Sequence, residues 1–324
     1  MTNAAATTPA AARWQDYVQL LKPRVMSLVV FTGATGLVCA GKPMNPFLAA
    51  VAIFCIAVGA GASAAFNMWF DADIDAKMSR TRARPVPSGK VQGADSLAMG
   101  ITLTLLSCMV MWLAVGWLAA SLLAFTIFFY AVVYTMWLKR TTPQNIVIGG
   151  LAGALPPVIG WAAASHTAPP AAWLLCLIIF MWTPPHFWAL SLYTSADYGK
   201  AGVPMGPVVW GAKKTRAHIM VYSMLLIPIC QLPVVIGLGG PVYLAVSALG
   251  GLVFLLLAFR LWRSNAGEGG AVGENGLYEV KAGSRDARNL FAFSILYLFA
   301  MFAALLAEHL IRLPHLHGLL GISL

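Results

Sequence analysis

The chain has 324 residues, 60% of them hydrophobic and only 10% charged, with a mean hydropathy of +0.78. Soluble domains carry about a quarter charged residues, so this composition excludes a water-soluble globular protein and points to an integral membrane protein. The net charge of +10 does not mark a nucleic-acid binder, because its distribution along the chain follows a membrane topology.

Residues 1–22 read as a disordered cytoplasmic tail, since the first twelve are Ala/Thr-rich and carry no basic residue, unlike a signal or transit peptide. Nine apolar runs follow, at 25–42, 46–70, 97–115, 118–138, 145–164, 171–192, 218–238, 241–262 and 290–311. Each is long enough to cross a bilayer as a helix of roughly 17–25 residues. The expected fold is therefore all-α, with one nine-helix domain over 23–312 and a short outer tail at 313–324. Of the 21 Lys and Arg, 19 fall before the first span or at the loops after spans two, four, six and eight; the exceptions are Lys42 and Arg312. The positive-inside rule then puts the N-terminus and those loops in the cytoplasm and the C-terminus outside, which requires an odd number of spans. Cys39, Cys55, Cys108, Cys176 and Cys230 all lie inside spans with no metal-ligand spacing, and read as packing residues.

Outer connections such as "SHTAPPA" (Ser165 to Ala171) are short, whereas three cytoplasmic loops are long and polar: Asp71 to Ser96, Thr194 to Ala217, and the Gly-rich Ser264 to Asn289, with a short helix at Leu277 to Ala282. The first two loops each open on acid and close on a Pro/Gly turn with basic residues, four helices apart. A weak parallel repeat with both loops at one mouth fits this, as do two unrelated interfacial loops.

The first loop carries the chemistry. Asn67, Asp71 and Asp75 are spaced i, i+4, i+8, which aligns three oxygen-bearing side chains on one helix face. Such a row suits Mg²⁺, which is held by one or two carboxylates plus substrate phosphate oxygens. Arg80 and Arg84 follow, with Lys77, Arg82 and Lys90 around them, and guanidiniums fork onto phosphate. Together they describe a diphosphate site. A positive-inside loop explains the bases alone; it does not explain three aspartates in five residues.

The pattern N-x3-D-x2-I-D-x2-M-x-R-T-x2-R-x4-G, from Asn67 to Gly89, resembles the signature of the UbiA-type intramembrane prenyltransferases. That resemblance implies nine helices around a central lipid-open cavity, Mg²⁺ on the aspartates and an isoprenyl diphosphate donor. The second acidic pair of that superfamily corresponds here to Tyr193 and Asp197: the phenol can donate to phosphate or hold water, and Asp197 can ligate metal, while Lys200 reads equally as a phosphate contact or a solvated lysine.

The acceptor is read from spans five and six. Pro156, Pro157, Pro184 and Pro185 are expected to interrupt both helices, and His186 sits beside the second break, flanked by Trp182, Phe187 and Trp188. A histidine within a span is a functional candidate, able to ligate a porphyrin iron, though helix packing alone also accounts for it. The order of "QNIVIGG", "PPVIGWAA", "WTPPHFWAL" and "AGVPM" is similar to the heme-farnesylating branch of the superfamily, with Gly206 standing where that branch usually has Leu, a change expected to loosen packing. This resemblance implies farnesyl diphosphate as donor, heme B as acceptor, and heme O for the next enzyme of heme A synthesis as product. It also implies a bacterial inner membrane with a cytoplasmic active site. Lys139 and Arg140 then join Arg80 and Arg84 on the departing diphosphate, and Trp182 and Trp188 face the allylic cation. A prenyltransferase for a quinone-precursor aromatic shares the first loop but has no use for "WTPPHFW"; a transporter needs a charged path at the midplane, which no span carries. His218, His309, His315 and His317 read as interfacial, and His166 has no apparent partner.

Overall fold

A computed structural model describes residues 12–268 and 285–311. The expected short helix at Leu277 to Ala282, the outer tail, Arg312, His315 and His317 lie outside the described residues. Every regular element described is helical, as apolar segments in a bilayer must be if each backbone N–H and C=O is to be bonded within its own segment.

Among the described residues eight helices or helix runs are long and apolar enough to cross a membrane, and nine if a bent pair counts as one span. That pair is α1 (Trp14–Leu20) and α2 (Pro23–Cys39), which meet at 50°. Within residues 1–22, where the composition suggests a tail, α1 is thus an ordered helix with Leu20 fully buried. There follow α3 (Pro46–Phe70), the short α4 (Ala72–Lys77), α5 (Gly93–Ala114) and α6 (Trp117–Phe128). The last of these winds on as a π-helix over Phe129–Leu138 and one turn of α7 (Lys139–Thr141). Span five is two pieces, α8 (Asn145–Ala154) and α9 (Pro156–Ser165). Then come α10 (Pro170–Tyr193), α11 (Ser195–Lys200), α12 (Gly206–Val209), α13 (Ala212–Val235), α14 (Pro241–Arg263) and α15 (Arg285–Ile311).

Local sequence explains many boundaries. Proline opens α2, α3, α9, α10 and α14, where its missing N–H is one of the helix's unpaired donors anyway. Asn45 caps α3 by accepting from Phe47 N–H at 2.9 Å. The prolines inside α10 do not break it. The helix runs unbroken through Pro184 and Pro185, and only the Leu155 junction between α8 and α9 interrupts a span as expected.

Consecutive helices pack side by side, and α15 returns to α2, closing a ring with α9 against α2 and α15 against α10. The inner wall is α8–α9 and α10, with 78% and 67% of their apolar windows buried against 17% for α5. Phe54, Leu105, Trp112 and Leu249 point outward, where lipid makes apolar exposure free of cost. Backbones meet closely where glycine allows it: a Cβ on Gly160 would sit 2.0 Å from the Gly33 carbonyl oxygen, and one on Gly36 2.1 Å from that of Pro157. At the far end the buried Glu308 carboxylate accepts from the N–H groups of Gly240, Val242 and Tyr243 at 2.6, 2.7 and 3.0 Å, tying α15 to the start of α14.

Candidate functional site

Asn67, Asp71 and Asp75 remain in one row although α3 ends at Phe70. The bonds Asp71 N–H to Asn67 C=O (3.0 Å) and Asp75 N–H to Asp71 C=O (2.8 Å) carry the helical spacing through the junction with α4. All three side chains are buried, at 4%, 0% and 2% exposure. A buried carboxylate needs partners, and here they come from another span and from the loop itself. Lys139 bonds Asp71, and Arg84 Nη1 lies 2.6 Å from Asp75 Oδ2. Asn67 donates to Asp71 Oδ2 at 2.6 Å and to Thr135 Oγ1 at 3.2 Å, while its carbonyl accepts from Lys22 Nζ at 2.5 Å. Burial raises the Asp71 carboxyl above the usual carboxylate range, and the charge of Lys139 opposes that shift.

Two irregular backbones make the row possible. The π-helix carries Thr135 and, just beyond it, Lys139 to face α3, the wider turn being typical of functional positions. Lys22 sits between α1 and α2 in the left-handed region at φ +51°, before Pro23, whose ring disfavours the right-handed helical alternative.

The second loop joins the first. Ser79 donates to Asp197 Oδ2 at 2.5 Å, and the Tyr198 phenol is pushed up by burial and held back by the nearby Arg80 guanidinium. Beneath them Ile74, Met78, Ile146, Tyr198, Val203 and Met205 form a small apolar cluster. The two loops therefore share one mouth. The expected Tyr193–Asp197 pair makes different contacts: α10 ends at Tyr193, whose ring turns edge-on to Phe291, while Asp197 turns to Ser79. Arg140 forks onto Asp73 at 2.7 and 2.9 Å and bonds the Phe70 carbonyl, so it braces the loop while standing 3.7 Å from the row's Asp71. That fork holds the Asp73 carboxyl below its usual range. Lys200 lies exposed at the end of α11.

The residues fit a divalent cation of the Mg²⁺ kind. Asp71 Oδ1 is fully buried with no hydrogen-bond partner, and Arg140 Nη2 stands 3.7 Å away. Among the described residues no three acidic side chains converge on a point, which suits an ion completed by substrate phosphate and not one enclosed by protein.

Deeper along α10, His186 lies in an aromatic stack, between Trp182 at 4.1 Å and Phe291 at 4.6 Å. Its Nδ1 is 2.6 Å from Ser294 Oγ, and the Ser294 hydroxyl donates its only proton to the Phe291 carbonyl at 2.6 Å. Both contacts are satisfied together when Nδ1–H donates to Ser294 Oγ, the tautomer that leaves the Nε2 lone pair as the ring's acceptor. Trp182 belongs to this group and donates from Nε1 to the Ser294 carbonyl at 2.8 Å. Trp188 does not: it is buried among Trp210, His218 and Tyr222. Gly206 does not loosen its surroundings either, since a Cβ there would meet the Trp210 ring at 3.2 Å.

Sequence reasoning missed Lys22, Thr135, Ser79, Tyr198 and Ser294. Lys22 had a signal, a lysine wedged before proline at the mouth of a span; Thr135 and Ser294 are single hydroxyls in apolar runs, and spacing says nothing of their partners.

Comparison with known proteins agrees with this geometry. The profile of the UbiA prenyltransferase family matches residues 28–272. A protoheme IX farnesyltransferase of Caulobacter vibrioides is 66% identical over 319 residues, covering 95% of this chain and 96% of the relative. Another from Maricaulis maris is 57% identical, covering 91% and 89%. Among solved structures, a digeranylgeranylglyceryl phosphate synthase superposes with a TM-score of 0.72 at 16% identity, covering 92% of this chain and 98% of its own. A UbiA homolog from Archaeoglobus fulgidus bound to GPP and Mg²⁺ superposes at 0.62 and 15%, covering 90% and 99%. A multi-pass helical fold, a buried acid–base row and matches over nearly the whole length lead to one conclusion: the chain belongs to the UbiA prenyltransferase family.

Proposed function

We propose that the protein transfers the farnesyl group of farnesyl diphosphate to a vinyl group of heme B, giving heme O, with its active site on the cytoplasmic side of a bacterial inner membrane. The observation that carries this reading is the 66% identity, over nearly the whole chain, to a protein named protoheme IX farnesyltransferase. Asp71, Asp75 and Asn67 would hold Mg²⁺, with Asp197 beside them; when bound, the ion supplies positive charge to the diphosphate leaving group.

The chain's own residues do the rest. Arg80, Arg84 and Lys139 donate charge-assisted hydrogen bonds as the carbon–oxygen bond to farnesyl C1 breaks and negative charge moves to the diphosphate. Arg84 and Lys139 exchange Asp75 and Asp71 for phosphate oxygens with little movement, since both already face the row. Burial of the row excludes water that would otherwise capture the allylic cation. The vinyl carbon's π pair forms the new bond to C1. Water then adds to the porphyrin-stabilised cation and loses a proton, giving a hydroxyethylfarnesyl side chain. His186 is suited to seat the acceptor, because Ser294 on Nδ1 can hold the tautomer whose Nε2 lone pair a heme iron requires.

Purified protein given farnesyl diphosphate, Mg²⁺ and heme B is expected to yield a more hydrophobic heme on reversed-phase chromatography. Diphosphate release with a hydroxybenzoate and not with heme overturns the assignment in favour of a quinone-precursor prenyltransferase.

A further inference from the structure

A cavity of about 480 Å³ opens between the end of α10 and the first turns of α15, outside the acid–base row. Its size lies within the range of small-molecule sites. Tyr193, Arg285, Arg288, Asn289, Phe291 and Ala292 line it. Arg285 and Arg288 are three apart on one helix face, and Asn289 completes the turn. Among the described residues neither guanidinium has a carboxylate within salt-bridge distance. Both sit in the opening turn of α15, where the helix dipole disfavours cations. Two arginines at the unfavourable end of a helix, without a carboxylate partner among the described residues and facing a cavity, make a site for an anion with two separated charges.

The floor of the cavity indicates which anion. Phe291 lines it and also stacks on His186, and Tyr193 meets Phe291 edge-on. One side of this space is therefore cationic and the other leads, through Phe291, to the His186 imidazole. We propose that Arg285 and Arg288 bind the two propionate carboxylates of the heme, with Asn289 and the Tyr193 hydroxyl as further donors, and so fix which edge of the acceptor faces the farnesyl group. The inference rests on heme being the acceptor. Carboxylates are the natural partners of paired guanidinium forks, and a porphyrin's apolar body suits Phe291. A phosphate carried by the donor or by a lipid headgroup shares the anionic chemistry. The donor is a close competitor, because Tyr193 lies within electrostatic reach of Arg80 as well as Arg288.

The test compares heme B with its dimethyl ester, whose propionates are neutral, in the wild type and in the double variant R285Q/R288Q. Both sites are exposed, so the variant keeps its packing. Wild type is expected to prefer heme B over the ester in KM. The variant should raise KM for heme B about ten- to a hundredfold, shift the ester's KM less than twofold, and leave that for farnesyl diphosphate within twofold. An unchanged KM for heme B overturns the proposal. So does a rise confined to farnesyl diphosphate, which assigns the arginines to the donor. A third overturning result is a wild-type rate that depends on anionic lipid, lost in the variant with heme KM unchanged, which assigns them to a headgroup. Absence of any farnesylated heme from the wild type overturns the proposed function itself, a result separable from all of these.

Discussion

Asp71 shows at the scale of one residue how stability and chemistry share the same atoms. Its Oδ2 is bonded by Asn67 and Lys139, and its Oδ1 is buried without a hydrogen bond. Asp71→Asn or Asp75→Asn keeps the shape and removes the charge; we expect kcat to fall at least ~100-fold while the protein remains monodisperse in detergent. Near-wild-type turnover in either variant at saturating Mg²⁺ would remove the metal assignment. Lys22 offers a sharper separation. Were it only a helix-start device, Lys22→Gly would be neutral or stabilising, because glycine adopts φ +51° without strain. We expect Lys22→Gly and Lys22→Met both to raise KM for farnesyl diphosphate about tenfold or more, with the glycine variant the more stable in thermal melts. For His186, heme titration followed by absorbance should show a weakened affinity or altered spectrum in His186→Ala, and a smaller change in Ser294→Ala, where only the Nδ1 acceptor is lost. Affinity for farnesyl diphosphate should stay within twofold in both. An unchanged spectrum in His186→Ala reduces the histidine to packing.

At the scale of elements, the site depends on where helices depart from regularity and on how closely they approach. The π-helix and the Lys22 kink aim groups at α3; the α2–α9 contact fixes the inner wall behind them. Gly160→Val puts side-chain atoms onto the Gly33 carbonyl, which is backbone and cannot rotate aside. We expect a loss of about 1–3 kcal/mol, seen as a lower thermal midpoint in detergent. Gly153, with nothing within 4 Å of its Cβ position, is the control and should tolerate alanine. Equal midpoints for Gly160→Val and wild type would show that α2 and α9 are not held in this contact.

For the whole molecule, the mouth lies at one membrane face. All the cations of the row, Lys22, Arg80, Arg84 and Lys139, gather there with the second loop. The proposed orientation, argued from the positive-inside rule, puts that face in the cytoplasm. Membrane-impermeant thiol reagents on sealed cells, in a cysteine-free background, should label His166→Cys and leave Ser88→Cys and Ser264→Cys unmodified. Labelling at Ser88→Cys from outside inverts the orientation and moves the active site to the other face.

The sequence by itself determined the membrane class, the span count, and the row Asn67–Asp71–Asp75, because each follows from local periodicity: apolar runs must be helical in lipid, and i, i+4 spacing aligns side chains whatever surrounds them. It also marked His186 as unusual. Which partners those residues take was decided only by tertiary structure. Lys22 meets Asn67 from 45 positions away, Lys139 meets Asp71 from 68, and Ser294 meets His186 from 108. Separations of that kind leave no trace in spacing, since they depend on which helices the ring brings side by side. The same holds for the departures: Arg140 is drawn to Asp73, Trp188 faces α13, and Tyr193 parts from Asp197 because α10 ends between them. Chemistry-bearing residues were legible one by one, and their assignment to one site required the packing that buries them.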